Sequence, residues 1–383
     1  MKNTYTLYGS YASYYTAKTR AYLRKKSIPF VERLPSDPTF RKSVRPSSGS
    51  HRIPQLMAPD GCVLQDSVEI QDHLEARFPH LPAIPKTPRQ RIFVHLMELM
   101  GSEGLLRLAW LHRWMFEENF AFVKKDFGRS FKPQGSDADL QKYGDLIADR
   151  MMSYGLPESS PAAREALDEK YKQLLSLFES HLIQYPYFLG GHPSAADYAV
   201  MGALHAHMGR DPAGLRVMQA HAPRVLRWVE NMLLPEVQAP EFYNVSVEYL
   251  ANDEVPDTAL AVLHFIAEEY GKKFVLGVIG FNQAMEKLAP QAGYALAPEH
   301  DQPLLPAELV SYGGVESEHR TDVYAVWLTQ RSQSYFQSLS AADQTQVLQI
   351  LGKGTLADLL SLPLTTRVIR LNNRFLVGRH LGL

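Results

Sequence analysis

The chain has one cysteine, Cys62, among its 383 residues. One thiol cannot build a disulfide framework within the chain or a C-x-x-C redox pair, and it fits a reducing compartment. A surplus of either charge is missing too. The 40 Lys and Arg residues stand against 41 Asp and Glu, a formal net charge of −1, so nothing suggests a nucleic acid as the main partner. Long apolar runs are absent. Stretches such as Phe274–Phe281, FVLGVIGF, fall far short of the roughly 20 residues that span a bilayer. Tyr, Ser and Thr interrupt the first residues at once, unlike the basic-then-apolar design of a signal peptide. The expectation is a soluble, cytoplasmic protein with no membrane partner. No H-x-x-x-H or Cys/His metal spacing occurs, and His205 and His207, two apart, point to different sides of a helix. No metal is expected.

What is there suffices for a large core, with 45% hydrophobic residues and a length that suggests two or three domains. Thr4–Gly9 reads as a short buried strand, Tyr15–Lys26 as a helix and Ile28–Leu34 as a second strand. Residues 35–52 are turn-rich, irregular or briefly helical. Ile53–Asp66 reads as a hairpin around Pro59-Asp60-Gly61, with Cys62 structural in its turn. Ser67–Phe78 is amphipathic and helical. Pro79–Pro88 has four prolines in ten residues and reads as a linker. Helical segments then follow without strands: Ile92–Phe122, Ala162–Leu182, residues 193–208 and residues 222–233. Past residue 240 the pattern predicts one or two helices over Pro256–Leu288 and a loop-like stretch over 289–319. Helices near 320–338 and 341–351 follow, and a closing hairpin around Asn372-Asn373.

Three local patterns carry chemistry. Where the first strand hands over to a helix, Ser10, Tyr11, Ser13, Tyr14, Tyr15 and Thr16 crowd six hydroxyls into seven positions. Ile53-Pro54 opens the third strand; a proline there either starts an edge strand or frees backbone groups for something other than the sheet. Asp66-Ser67 precedes an amphipathic helix, with Ser67 as N-cap candidate at the positive end of the dipole, which suits a carboxylate as well as simple capping. Ser194-Ala-Ala-Asp197 is a capping-box variant with a role in folding.

In this order and at these separations the segments resemble the glutathione S-transferase superfamily over about the first 235 residues. YLRKKSIPFVERL, RIPQL, DGCVLQDSVEIQDHLEARFP and FLGGHPSAADY each look like a family segment, and MGRDP at 208–212 is similar to extended bacterial-type members. The resemblance implies an α+β protein: a thioredoxin-like domain over 1–80, a linker over 81–88 and an all-α transferase domain over 89–240. Residues 241–383 would be an additional, mostly helical extension of unknown role. It implies glutathione as co-substrate, held by His51, Arg52, Ile53, Pro54, Asp66 and Ser67, with no metal or redox cofactor. It implies conjugation of the thiolate to a small hydrophobic electrophile, an acceptor pocket at Trp110, His112 and Trp114, a homodimer and a detoxifying role. Ser13 falls at the serine-class position for the hydroxyl that stabilises the thiolate; Tyr8, Tyr14, Tyr15 and Ser10 are the alternatives. The missing cysteine at this junction argues against the disulfide chemistry of cysteine-type members. The rival is a non-catalytic binding or scaffold protein of the same fold, which the long tail favours.

Overall fold

The computed structural model describes residues 3–157, 159–296, 307–312, 315–320 and 322–380. Its first unit runs β1 (Tyr5–Tyr8), α1 (Tyr14–Lys25), β2 (Phe30–Arg33), a helical turn ending in α2 (Arg45–Ser48), β3 (Gln55–Met57), β4 (Val63–Gln65) and α3 (Ser67–Glu75). The strands form one mixed sheet in the order β2-β1-β3-β4. β1 and β2 are parallel, whereas β3 is antiparallel to both β1 and β4. The strands are short, and alternating residues such as Tyr5 and Leu7 pack against apolar faces of α1 and α3. This is the thioredoxin-like arrangement expected.

The proline-rich stretch after α3 is packed down. Ala83 is fully buried, its N–H donates to Glu75 Oε2 at 2.8 Å, and its carbonyl accepts from Ala195. Lys26 Nζ donates to the carbonyls of His80 and Leu81. With its backbone groups thus engaged, the segment is a fixed strut between the sheet and the helices.

The helical unit follows: α4 (Pro88–Leu99), a wide turn over 100–104, α5 (Leu105–Trp114), α6 (Phe120–Phe131), α7 (Asp137–Met152), α8 (Pro161–His181), α9 (Ala195–Met201), α10 (Pro212–His221) and α11 (Pro223–Met232). α6, α7 and α10 are additions to the helices legible in the sequence. The Ser194–Asp197 box forms as expected, with Asp197 Oδ2 accepting from Ser194 N at 2.8 Å and Oδ1 from Phe188 N at 3.0 Å.

Beyond it lie α12 (Asp257–Tyr270), α13 (Lys272–Leu288), β5 (Ala307–Tyr312), β6 (Val315–Arg320), α14 (Val323–Ser338), α15 (Ala341–Leu351), α16 (Thr355–Ser361), β7 (Thr366–Leu371) and β8 (Arg374–His380). Two helices fill Pro256–Leu288 as expected. The stretch at 289–319 is more ordered than its loop-like composition implied: among its described residues β5 and β6 pair antiparallel. Residues 297–306 and 313–314 lie outside the described residues. Asn372 and Asn373 both take positive φ, 51° and 62°, which suits the two-residue turn joining β7 to β8.

The extension joins the main body. α14 packs on α4, and a charge network with a buried Lys18–Glu98 pair at its centre ties four elements. Lys18 of α1 contacts Glu98 of α4 at 2.8 Å. Arg331 of α14 reaches Asp72 of α3 at 2.6 and 3.0 Å and lies 3.9 Å from Glu98. Gln330 brackets β7, donating to the Val368 carbonyl and accepting from its N–H. Among the described residues no helix is long and apolar enough to cross a membrane.

Candidate functional site

The start of α1 is built by its neighbours. Ser13 is the N-cap, its hydroxyl oxygen accepting from Thr16 N at 3.2 Å. Arg113 of α5 sets the residue before it. One guanidinium nitrogen donates to the Ala12 carbonyl at 3.0 Å, and the group pairs with buried Asp211 at 2.6 and 3.0 Å. The Arg and Asp of the MGRDP segment therefore serve structure: Asp211 holds Arg113, and Arg210 pairs with Asp126.

The other hydroxyls have different employment. Tyr14 donates to the Gly101 carbonyl at 2.5 Å, and its ring lies against Gly202, where a Cβ would sit 2.2 Å from a ring carbon. Only glycine permits that approach. Tyr15 donates to Glu103 Oε1 at 2.9 Å. Burial raises both phenols well above their usual range. Tyr8 is buried against Phe40, with ring centroids 5.5 Å apart, and burial raises its phenol as well. Ser10 is buried, and its carbonyl accepts from Arg20. Ser13 is half-buried, and its hydroxyl stands at the positive end of the α1 dipole.

Ile53-Pro54 is a cis peptide and leads into β3 beside β1. At the end of β4 the structure corrects one assignment. Asp66, not Ser67, is the N-cap of α3, its carboxylate accepting from Val68 N at 2.9 Å and Glu69 N at 3.3 Å. A carboxylate reaches two amides at once, which the Ser67 hydroxyl in the first helical position cannot do. Asp66 holds φ = 93°, a conformation that non-glycine residues rarely adopt and that clusters at functional sites. Ser67 is 2% exposed, and its hydroxyl oxygen is buried with no hydrogen-bond partner. An unsatisfied buried hydroxyl costs free energy unless something else completes it.

His51 and Arg52 are exposed on the loop before β3. A shallow pocket of about 360 Å³ is lined by Arg41, Arg45, Pro46, Gly49, Ser50 and His51. A second, of about 510 Å³, is lined by Tyr11, Arg24 and residues of β2. Thus Ser13, the cis-proline and Asp66-Ser67 share the sheet's end, with the basic loop beside them.

The expected acceptor residues do not converge. His112 is buried, bonded to Asp168 at 2.9 Å and stacked on Phe116 at 4.4 Å. Trp114 is 2% exposed and stacks on Phe127 in the core between α5, α6 and α7. Helical spacing put both on α5, but their faces turn toward α8 and α6. Trp110 is half-buried with the Arg107 guanidinium 4.2 Å above its ring.

Sequence reasoning missed what the extension does here. Arg370 donates to the Gln65 carbonyl at 2.9 Å and to its side-chain oxygen at 2.6 Å. Asn373 Oδ1 accepts from Gln65 N at 3.2 Å. Tyr324, at the start of α14, is buried with its hydroxyl unpartnered and feels the charge of Asp66. Glu103, which holds Tyr15, lies near Asp322 and Lys273 of the extension; burial raises its carboxyl and lowers the Lys273 ammonium. Only the Asn-Asn turn could be read beforehand; its target is some 300 residues away in sequence.

A four-stranded mixed sheet with a cis-proline and a helical unit behind it define a thioredoxin-like domain joined to an all-α one. Residues 7–83 match the family described as glutathione S-transferase, N-terminal domain, and residues 161–231 match glutathione S-transferase, C-terminal domain. Over these two segments the chain is similar to the glutathione S-transferase superfamily. No curated protein matches it. Solved structures similar to it include a glutathione S-transferase from Methylobacterium radiotolerans in complex with glutathione sulfonate, 19% identical over 65% of this chain and 97% of that one, with a TM-score of 0.36. A glutathione S-transferase from Methylobacillus flagellatus with glutathione bound is 20% identical over 60% and 94%, with a TM-score of 0.35. Glutathione transferase GSTFuA3 from Phanerochaete chrysosporium is 16% identical over 62% and 98%, with a TM-score of 0.46. At these scores the likenesses add no argument of their own.

Proposed function

We propose that the chain binds glutathione at the end of the first sheet and transfers its sulfur to a small hydrophobic electrophile. The observation that carries this reading is the placement of Ser13: it is half-buried at the N-cap of α1, whereas the neighbouring Tyr14 and Tyr15 hydroxyls already donate to Gly101 and Glu103. A free thiol at neutral pH is mostly protonated. A hydroxyl donating to the sulfur, with the helix dipole behind it, favours the thiolate. The sulfur then forms a bond to the electrophile, whose leaving group departs with the electron pair, or whose π-bond takes it up with a proton from water. Asp66-Ser67 would receive the γ-glutamyl end and the residue before Pro54 the cysteinyl backbone; the loop with His51 and Arg52 would face the glycyl carboxylate. For the acceptor, Trp110 is the residue of the expected trio that keeps exposed surface.

Glutathione titration by calorimetry tests binding, and turnover of an aryl halide tests transfer. Ser13→Ala should lower kcat/KM by about 10²-fold, the size of losing one positioned donor, whereas Tyr8→Phe, which keeps its packing on Phe40, should not. Equal losses in both variants would refute Ser13 as the donor. The extension's cover over Gln65 favours a second reading, a non-catalytic binding protein; retention on immobilised glutathione without turnover of any electrophile would select it. The expected homodimer would have to avoid the faces of α3 and α4 that carry α14. Sedimentation at 43.3 kDa would refute a dimer, and twice that mass would support one.

A further inference from the structure

We infer that the turn end of the β7–β8 hairpin is a built-in gate across the glutathione site, so that a tripeptide enters only when Arg370 and Asn373 let go of Gln65. This rests on the glutathione reading above and adds its regulation.

The argument begins at β4. It is the last strand of its sheet, and an edge strand presents unpaired N–H and C=O groups. At Gln65 those groups are taken by the chain itself: N–H by Asn373, C=O and the side-chain oxygen by Arg370. The same turn reaches the other side of the groove, where Arg374 Nη2 lies 3.9 Å from the position of a Cβ on Gly49. It therefore touches both the β4–α3 junction and the basic loop, the two ends between which a γ-glutamyl tripeptide would lie. Gln65, which it holds, is 8% exposed, and the adjoining Asp66 and Ser67 are 7% and 2% exposed. The Ser67 hydroxyl, buried without a partner, is a group a ligand could complete and the hairpin does not.

The contact is also poised to break. The Arg370 side chain is 4% exposed, and its Nε is buried without a hydrogen bond, 4.0 Å from Glu69 Oε1. Its guanidinium lies 4.9 Å from the Phe375 ring centre and 5.9 Å from that of Trp327. A buried cation with an unmet donor is held less firmly than a fully paired one. The far part of the hairpin is anchored by contrast. Gln330 bonds both backbone groups of Val368, while Val377 N and O pair with Tyr294 and Gly293. The anchor reaches Phe375, opposite Arg370: the Phe375 carbonyl accepts from Leu296 N, and its ring packs on Tyr324 and Trp327. What can open is the short turn beyond it, with the Asn373 and Arg370 side chains, a small flap on a fixed base.

If the open form is a small fraction of the molecules, ligand affinity is reduced by that fraction. Two readouts on the full-length chain separate the gate from the ligand. First, Ser67→Cys in a Cys62→Ser background places one reporter thiol under the flap. Its alkylation by iodoacetamide should be slow, and at least about tenfold faster once Arg370→Ala and Asn373→Ala are added, because labelling follows the open population. Equal rates overturn the gate whether or not glutathione binds. Second, with Ser67 intact, the Arg370→Ala/Asn373→Ala variant should bind glutathione about tenfold more tightly than the wild type. Weaker binding by the variant would overturn the gate and make Arg370 part of the receptor. Faster labelling with no glutathione binding by either protein would uphold the gate and refute the ligand.

Discussion

Arg113 shows how much one side chain fixes near the site. It is 2% exposed, bonded to Asp211 and to the carbonyls of Ala12 and Ala206. Removing it leaves the Asp211 carboxylate buried and unpaired, a change that typically costs about 3–5 kcal/mol. Arg113→Ala should lower the urea midpoint accordingly, while Arg113→Lys should recover only part, since an ammonium cannot supply the fork that holds Asp211 and two carbonyls together. In a protein that turns over, the lysine variant should lose kcat more than it raises KM, because Ala12 adjoins Ser13 and not the peptide-binding groups. A pure stability effect would leave kcat of the folded fraction unchanged.

At the level of helices and strands, Asp197 is the most exposed to test. Its carboxylate accepts from Phe188 N, Ser194 N and the Ser194 hydroxyl. Asp197→Ala would orphan two buried amides, at about 1–3 kcal/mol each, and thermal melting should show the loss. This element was legible in advance because a capping box is written in four consecutive residues. So were the strand-helix order of the first unit, the two helices over 256–288 and the Asn-Asn turn, each set by local period or turn chemistry. Three kinds of feature were not. The N-cap of α3 was read as Ser67 and is Asp66, a shift of one residue that the local pattern does not resolve. The inward turn of His112 and Trp114 depends on where α6 and α8 pack. The hairpin's target at Gln65 is a pairing of distant segments for which the sequence offers no period.

At the scale of the whole molecule, buried histidines link stability to pH. His95 and His205 are pushed down to about 3 and His181 to about 4, mainly by loss of water. Each is neutral when folded and takes a proton near pH 6.5 when unfolded. Their contribution is therefore present above pH 6.5 and lost as pH falls toward 4, at about 1.4 kcal/mol per pH unit for each histidine. Urea midpoints between pH 8 and 5 should decline below 6.5, and His205→Gln should flatten the slope; an unchanged slope would refute its share. The β7–β8 turn has a last consequence. Because Asn373 and Arg370 finish the hydrogen bonding of β4, any proteolytic nick that frees the C-terminal hairpin uncovers a strand margin able to recruit the same strand from a neighbouring molecule. Like-to-like pairing of one edge closes after two copies, so nicked protein should sediment at twice the mass of the intact species.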